Sequence, residues 1–171
     1  MYLRGPAAPR LPIQIPLALI ASLACACSSR RTEPNSRFLV VGAPRSSYRL
    51  LSGFYGAEQN RWRWTGRTFA VSLSGGEDLA EESRRLVLHF AIPHEAARQL
   101  LPLEISAAID GLELRPELFR NDGRQAFTRV IPGDVLARKE VAVSFSLNRW
   151  IPPTPSDRRE LGIIVESIGF E

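Results

Sequence analysis

The chain reads as an all-β protein built on one antiparallel β-sandwich with one or two short helices. A signal segment and a flexible tether precede the sandwich. Three observations carry this. Arg85–Ile92 and Glu140–Leu147 alternate apolar and polar residues with period two, the signature of half-buried strands. Turn signals recur at short intervals, at Gly75-Gly76, Asp110-Gly111 and Asn121-Asp122-Gly123. Helical periodicity is too thin for strand-helix-strand units.

The elements follow in order. Phe38–Val41 is a short apolar run ended by Gly42 and Pro44, and Tyr48–Leu51 reads as another strand. Arg61-Trp62-Arg63-Trp64 alternates, so the two indoles share one side and the two guanidinium groups the other. Thr68–Leu73 is a strand with Phe69, Val71 and Leu73 on one face. In Arg85–Ile92 the core face is Leu86, Leu88, Phe90 and Ile92. Pro93 ends that strand and starts a short helix over His94–Leu101, with Pro102 beyond it. Leu103–Ile109, the Asp110-Gly111 turn and Leu112–Leu114 form a hairpin. Arg124–Ile131 places Phe127, with Ala126, against the core, and Pro132–Ala137 is a helical turn. Val141, Val143, Phe145 and Leu147 face inward from Glu140–Leu147. Pro152-Pro153-Thr154-Pro155 is a rigid loop, and Leu161–Phe170 is the closing strand. About seven to nine short strands at this spacing predict a sandwich or barrel.

Residues 1–10 hold Arg4, Arg10 and no acid. Leu11–Ala24 is an apolar run of 14 residues, and Cys25-Ala26-Cys27-Ser28-Ser29 follows. A basic start, a short apolar run and small residues at the exit predict a secretory signal over residues 1–27. The run falls short of the roughly 20 residues a membrane-spanning helix needs. Residues 28–36 read as a polar tether and residues 37–171 as the sandwich. The chain has 171 residues, 44% of them hydrophobic, and the part after residue 36 is long enough to bury a core without staples. Cys25 and Cys27 are the only cysteines, so no disulfide is expected inside the sandwich. Setting aside Arg4 and Arg10, 20 basic residues stand against 18 acidic ones. The basic residues are scattered, and they predict no nucleic-acid partner.

Ala24-Cys25 and Ala26-Cys27 resemble the lipobox of bacterial lipoproteins, in which a small residue precedes a cysteine that is diacylated. The preferred leucine three residues before the cysteine is missing at both. Cys27, followed by serines, and Cys25 remain alternative acceptors, beside an ordinary cleaved signal. The resemblance implies a lipid anchor in a membrane of the cell envelope, by palmitate or a similar acyl chain. Farther along, Asp110-Gly111, Phe127, Ile131-Pro132, Val135-Leu136 and Val141-Val143-Phe145 resemble galactose-binding-like jelly-roll modules. Gly53–Glu58 with Trp62–Thr65, and Asp157–Ile163, are similar to stretches of uncharacterised bacterial sandwich domains found alone or beside glycosyltransferases. These resemblances imply a jelly-roll-like sandwich and do not fix an activity.

One constellation has the chemistry of saccharide recognition: Tyr55, Glu58, Trp62 and Trp64, with Arg61 and Arg63 near them. Indole faces stack on sugar rings, and carboxylates and guanidinium groups bond hydroxyls. Two tryptophans on one strand face are more often core or edge packing, since each buries a large area. Asp157 and Arg159 are a second candidate, able to brace the last strand or to close onto the tryptophan loop. His89 and His94 lack a His-Glu-x-x-His frame, so no metal is expected and no cofactor is implied. No nucleophile elbow, phosphate-binding loop or dinucleotide fingerprint occurs. The expectation is a non-enzymatic, anchored envelope protein that binds saccharide or glycan. The alternatives are an envelope lipoprotein of structural or protein-interaction type, and, more remotely, an enzyme acting on envelope polymers.

Overall fold

Nine strands carry most of residues 38–171, the part of the chain that the computed structural model describes. The expected signal segment 1–27, the tether 28–36 and both candidate acyl acceptors, Cys25 and Cys27, lie outside the described residues. The strands are β1 (Phe38–Val40), β2 (Leu50–Glu58), β3 (Trp62–Ser74), β4 (Arg84–Ile92), β5 (Leu103–Ile109), β6 (Leu112–Phe119), β7 (Gly123–Ile131), β8 (Glu140–Leu147) and β9 (Ile164–Phe170). Two four-residue α-helices, Glu77–Ala80 and Ala97–Leu100, and three 3-10 turns fill the connections. The fold is an antiparallel, jelly-roll-like β-sandwich. No described helix is long and apolar enough to cross a membrane.

All pairings are antiparallel, and the path of neighbours runs β6-β5-β8-β3-β9-β4-β7. The two layers meet in β3. Its C-terminal half, Thr68–Ser74, pairs β8, whereas Arg63 and Trp64 pair Val165 and Ile164 of β9. β3 therefore leaves one layer and enters the other between Thr65 and Thr68. β2 follows it along its second edge, with register shifts flanking Ser52 and Phe54. Gly53 sits at that bend with φ +74°, and a Cβ there would collide with the Thr68 carbonyl oxygen. Only glycine meets both demands without strain. β1 extends the second layer on Ser167–Gly169 of β9.

The alternating sequences produce alternating burial. Every second residue of β8, Val141 to Leu147, is buried, and Leu103, Ile105, Ala107 and Ile109 of β5 behave alike. Aromatic rings join the layers. Phe69 stacks on Phe145 with centroids 4.9 Å apart, and Phe127 of the opposite layer meets Phe145 edge-on at 6.0 Å. Phe90 and Phe119 form a second cross-layer contact at 5.0 Å. Rings buried in this way stabilise the sandwich by about 1.5–3 kcal/mol each.

The open side between edge strands β6 and β7 is latched by Arg129. Its guanidinium donates to the carbonyls of Arg115 and Pro116 and to Glu117 Oε2 at 2.6 Å, while lying 4.5 Å over the Phe127 ring. Pro116 in β6 fits an edge position, where a missing donor costs nothing.

Four expectations change. Ser47–Arg49 is a 3-10 turn, so the second strand starts at Leu50 rather than Tyr48. Arg61–Trp64 and Thr68–Leu73 are parts of one long strand. Ala126 is exposed, because Phe127 takes the inward position next to it. The closing strand begins at Ile164, since Leu161 is instead bridged to Ile151 across a loop.

Candidate functional site

β2 and β3 form a hairpin whose tip is Glu58-Gln59-Asn60-Arg61. Gln59 and Asn60 have φ of 53° and 54°, and Arg61 N–H donates to the Glu58 carbonyl at 3.1 Å. Two left-handed central residues twist the turn in the sense that paired strands need.

The register decides what each side chain faces. Arg63 pairs with Val165, which is fully buried, so Arg63 points inward. There its Nε donates to the Val41 carbonyl at 2.7 Å and its Nη1 to the Tyr55 carbonyl at 2.8 Å. Trp64 pairs with half-buried Ile164 and points to the outer face of the second layer. Trp62 alternates with Arg63 and shares that outer face, and its register partner is Glu58. Both tryptophans are half-buried, and neither belongs to the buried core. A half-buried indole on the sheet surface serves edge packing and ligand contact alike.

The second half of the site is the loop after β8. Ile151 and Leu161 exchange backbone hydrogen bonds of 2.7 and 3.0 Å and close its base. Inside it, Thr154 N–H donates to the Asp157 carbonyl at 2.7 Å, and Asp157 N–H to Thr154 Oγ1 at 3.0 Å. The Asp157 carboxylate grips Arg159 at two points, Oδ2 with Nη2 at 2.7 Å and Oδ1 with Nε at 2.9 Å. It also accepts the Arg159 backbone N–H at 3.0 Å. Hydrogen bonding from Arg159 first, helped by that backbone donor, holds the Asp157 carboxyl down at about 2. The same bond raises Arg159 above its ordinary value.

Arg159 then ties the loop to the hairpin. Its guanidinium lies 5.4 Å over the Tyr55 ring and its Nη1 is 4.0 Å from Glu58 Oε1. Tyr55 O–H donates to the Glu160 carbonyl at 2.7 Å. The fold thus brings Tyr55, Glu58, Asp157 and Arg159 together, with Trp62 on the same sheet face as Glu58 and Trp64 two residues along it. The four polar partners are half-buried, so their groups reach solvent.

Sequence reading missed three neighbours. Glu160 Oε1 accepts the Arg67 backbone N–H at 2.8 Å, and the Arg67 guanidinium stacks 4.1 Å over Trp150. No local pattern links these residues, because only the β3 crossover and the closed loop bring them into contact. The two histidines lie elsewhere: His89 is half-buried against the Phe38 ring, and His94 Nδ1 is 2.6 Å from Asp122 Oδ2 on the surface. Among the described residues no three His, Cys, Asp or Glu side chains converge as metal ligands.

No protein-family model and no curated protein matches the sequence. Solved structures resemble it at low identity. A 4-O-methyl-α-glucuronidase with specificity for decorated arabinogalactans is 14% identical over 66% of this chain and 14% of its own, with a TM-score of 0.43. An acetyl xylan esterase from the rumen bacterium Butyrivibrio proteoclasticus is 11% identical over 78% and 32%, with a TM-score of 0.41. An exo-β-1,3-galactanase from Phanerochaete chrysosporium is 13% identical over 71% and 25%, with a TM-score of 0.37. This chain spans between 14% and 32% of those chains, and what they act on is a property of those larger proteins.

Proposed function

We propose that the sandwich is a non-catalytic binding module for saccharide or glycan, held at the cell envelope by a lipid on Cys27 or Cys25. One observation carries the binding reading. The register pair Glu58 and Trp62 sets a carboxylate beside an indole on an outer sheet face, with Trp64 two residues along and Arg159 fixed against Glu58. An indole face stacks on the apolar face of a pyranose, and Glu58 accepts from its hydroxyls while Arg159 donates to them. Asp157 and the Tyr55 ring hold Arg159 in place before any ligand arrives, which lowers the ordering cost of binding there.

The reading without a small-molecule ligand predicts different behaviour. A structural or protein-interaction surface would use the same indoles against a protein, and no glycan would bind. A glycan array probed with the full chain separates the two. Wild type binds a subset of saccharides, and Trp62→Ala and Trp64→Ala each lose it. An array with no bound glycan removes this reading. The anchor has its own test. Radiolabelled palmitate enters the wild-type chain and is absent when both cysteines are replaced, and label surviving in that double variant contradicts acylation at these positions.

A further inference from the structure

Every carboxylate near Arg159 is already answered. Asp157 is engaged at two points by Arg159, and Glu58 lies 4.0 Å from the same guanidinium. The arginines around them are not answered. Arg61 stands on the exposed hairpin tip, Arg158 on the exposed loop that Arg159 ties to that tip, and Arg67 beside the loop's far end. Among the described residues none of these three makes an ion pair. Arg67 rests on the Trp150 face, which positions its charge without neutralising it. The one remaining carboxylate, Glu160, accepts the backbone N–H of Arg67. Arg61, Arg67, Arg158 and Arg159 thus stand against Glu58, Asp157 and Glu160, so the hairpin and loop that form the site carry an excess of positive charge beside half-buried indoles.

We infer that the ligand of this site is an anionic glycan, one bearing uronate or a similar acid group, with Arg61, Arg67 and Arg158 receiving its charge. This inference rests on the saccharide reading and makes it specific. Guanidinium groups suit it because they meet a carboxylate in a two-point fork and remain charged at any physiological pH. A purely electrostatic surface for anionic lipid would need the basic groups alone. Here the same hairpin and loop also carry Glu58 and Asp157, which repel a bare anionic sheet and bond the hydroxyls of a sugar.

The test uses the full chain in detergent with two probes of one skeleton, tri-galacturonate and its fully methyl-esterified form. Affinity for the acid is expected to exceed that for the ester by about tenfold, the scale of two to three exposed charge pairs. The acid alone weakens as salt rises. Replacing Arg61 and Arg158 by glutamine brings the ratio of the two affinities toward one, and Trp62→Ala lowers both. Salt dependence in wild type gives the answer even if the double variant fails to fold. Equal affinity for acid and ester, with both lost in Trp62→Ala, overturns the anionic preference and leaves saccharide binding standing. Binding of neither probe, with binding to phosphatidylglycerol vesicles that Arg61 and Arg158 control, overturns both.

Discussion

Asp157 holds Arg159 at two points, 2.7 and 2.9 Å, and so fixes the guanidinium that meets Tyr55 and Glu58 across the hairpin. The contact joins two segments far apart in the chain and sets the shape of the candidate site. Removing the carboxylate by Asp157→Asn leaves a neutral amide that cannot charge-match the fork. The expected result is weaker glycan binding with little change in stability, because the pair is partly exposed. The pH dependence has a definite sign. A carboxyl depressed to about 2 contributes above its ordinary value and loses that contribution as pH falls toward 2. Binding measured along an acid titration therefore holds through mild acid in wild type.

Gly53 is the hinge on which β2 follows β3 from one layer to the other. Gly53→Ala forces a side chain into φ +74° and onto the Thr68 carbonyl. The expected loss of stability is about 1–3 kcal/mol by denaturant titration. Near-UV circular dichroism from the tryptophans changes with it.

The stacked pair Phe69 and Phe145 is the centre of the core. Phe145→Ala removes a ring that also meets Phe127, and the expected cost is about 3–5 kcal/mol. Chemical denaturation reads it directly, and a cost below 1 kcal/mol contradicts a shared two-layer core.

Arg129 closes the side of the sandwich between β6 and β7. Lysine carries the same charge but cannot satisfy two carbonyls and Glu117 from one planar group. Both Arg129→Ala and Arg129→Lys are expected to lower stability by about 2 kcal/mol, with faster amide exchange confined to β6 and β7.

His94 and Asp122 form a surface pair at 2.6 Å. The hydrogen bond with Asp122 raises His94, and the same bond lowers Asp122. A raised histidine contributes below its ordinary value, and the contribution disappears as pH rises through the folded value. His94→Ala should therefore lower the melting temperature slightly more at about pH 5 than at about pH 8.

The core was legible in the sequence because its signal is local. β5 and β8 begin and end where the alternation of Leu103–Ile109 and Glu140–Leu147 places them, and the Asp110-Gly111 turn joins β5 to β6. β2 was not, because Gly53, Gly56 and Ala57 interrupt any period, and its strand character comes from pairing β3. The site was half legible. Tyr55, Glu58, Trp62 and Trp64 lie within one hairpin, and Asp157 and Arg159 within one loop. Their meeting depends on contacts such as Tyr55 with Glu160, 105 residues apart, which no local pattern encodes. Inward Arg63 and outward Trp64 required the register with β9, since alternation says only that they oppose each other.

Under the proposed saccharide reading, the half-buried Trp62 and Trp64 receive a sugar ring on the outer sheet face. Tryptophan emission tests it during titration with a saccharide that the array identifies, with Trp150→Phe as background. The account predicts a spectral shift that saturates in this background and disappears when Trp62 and Trp64 are also replaced by phenylalanine. A saturating calorimetric signal with no change in emission from Trp62 and Trp64 would contradict it.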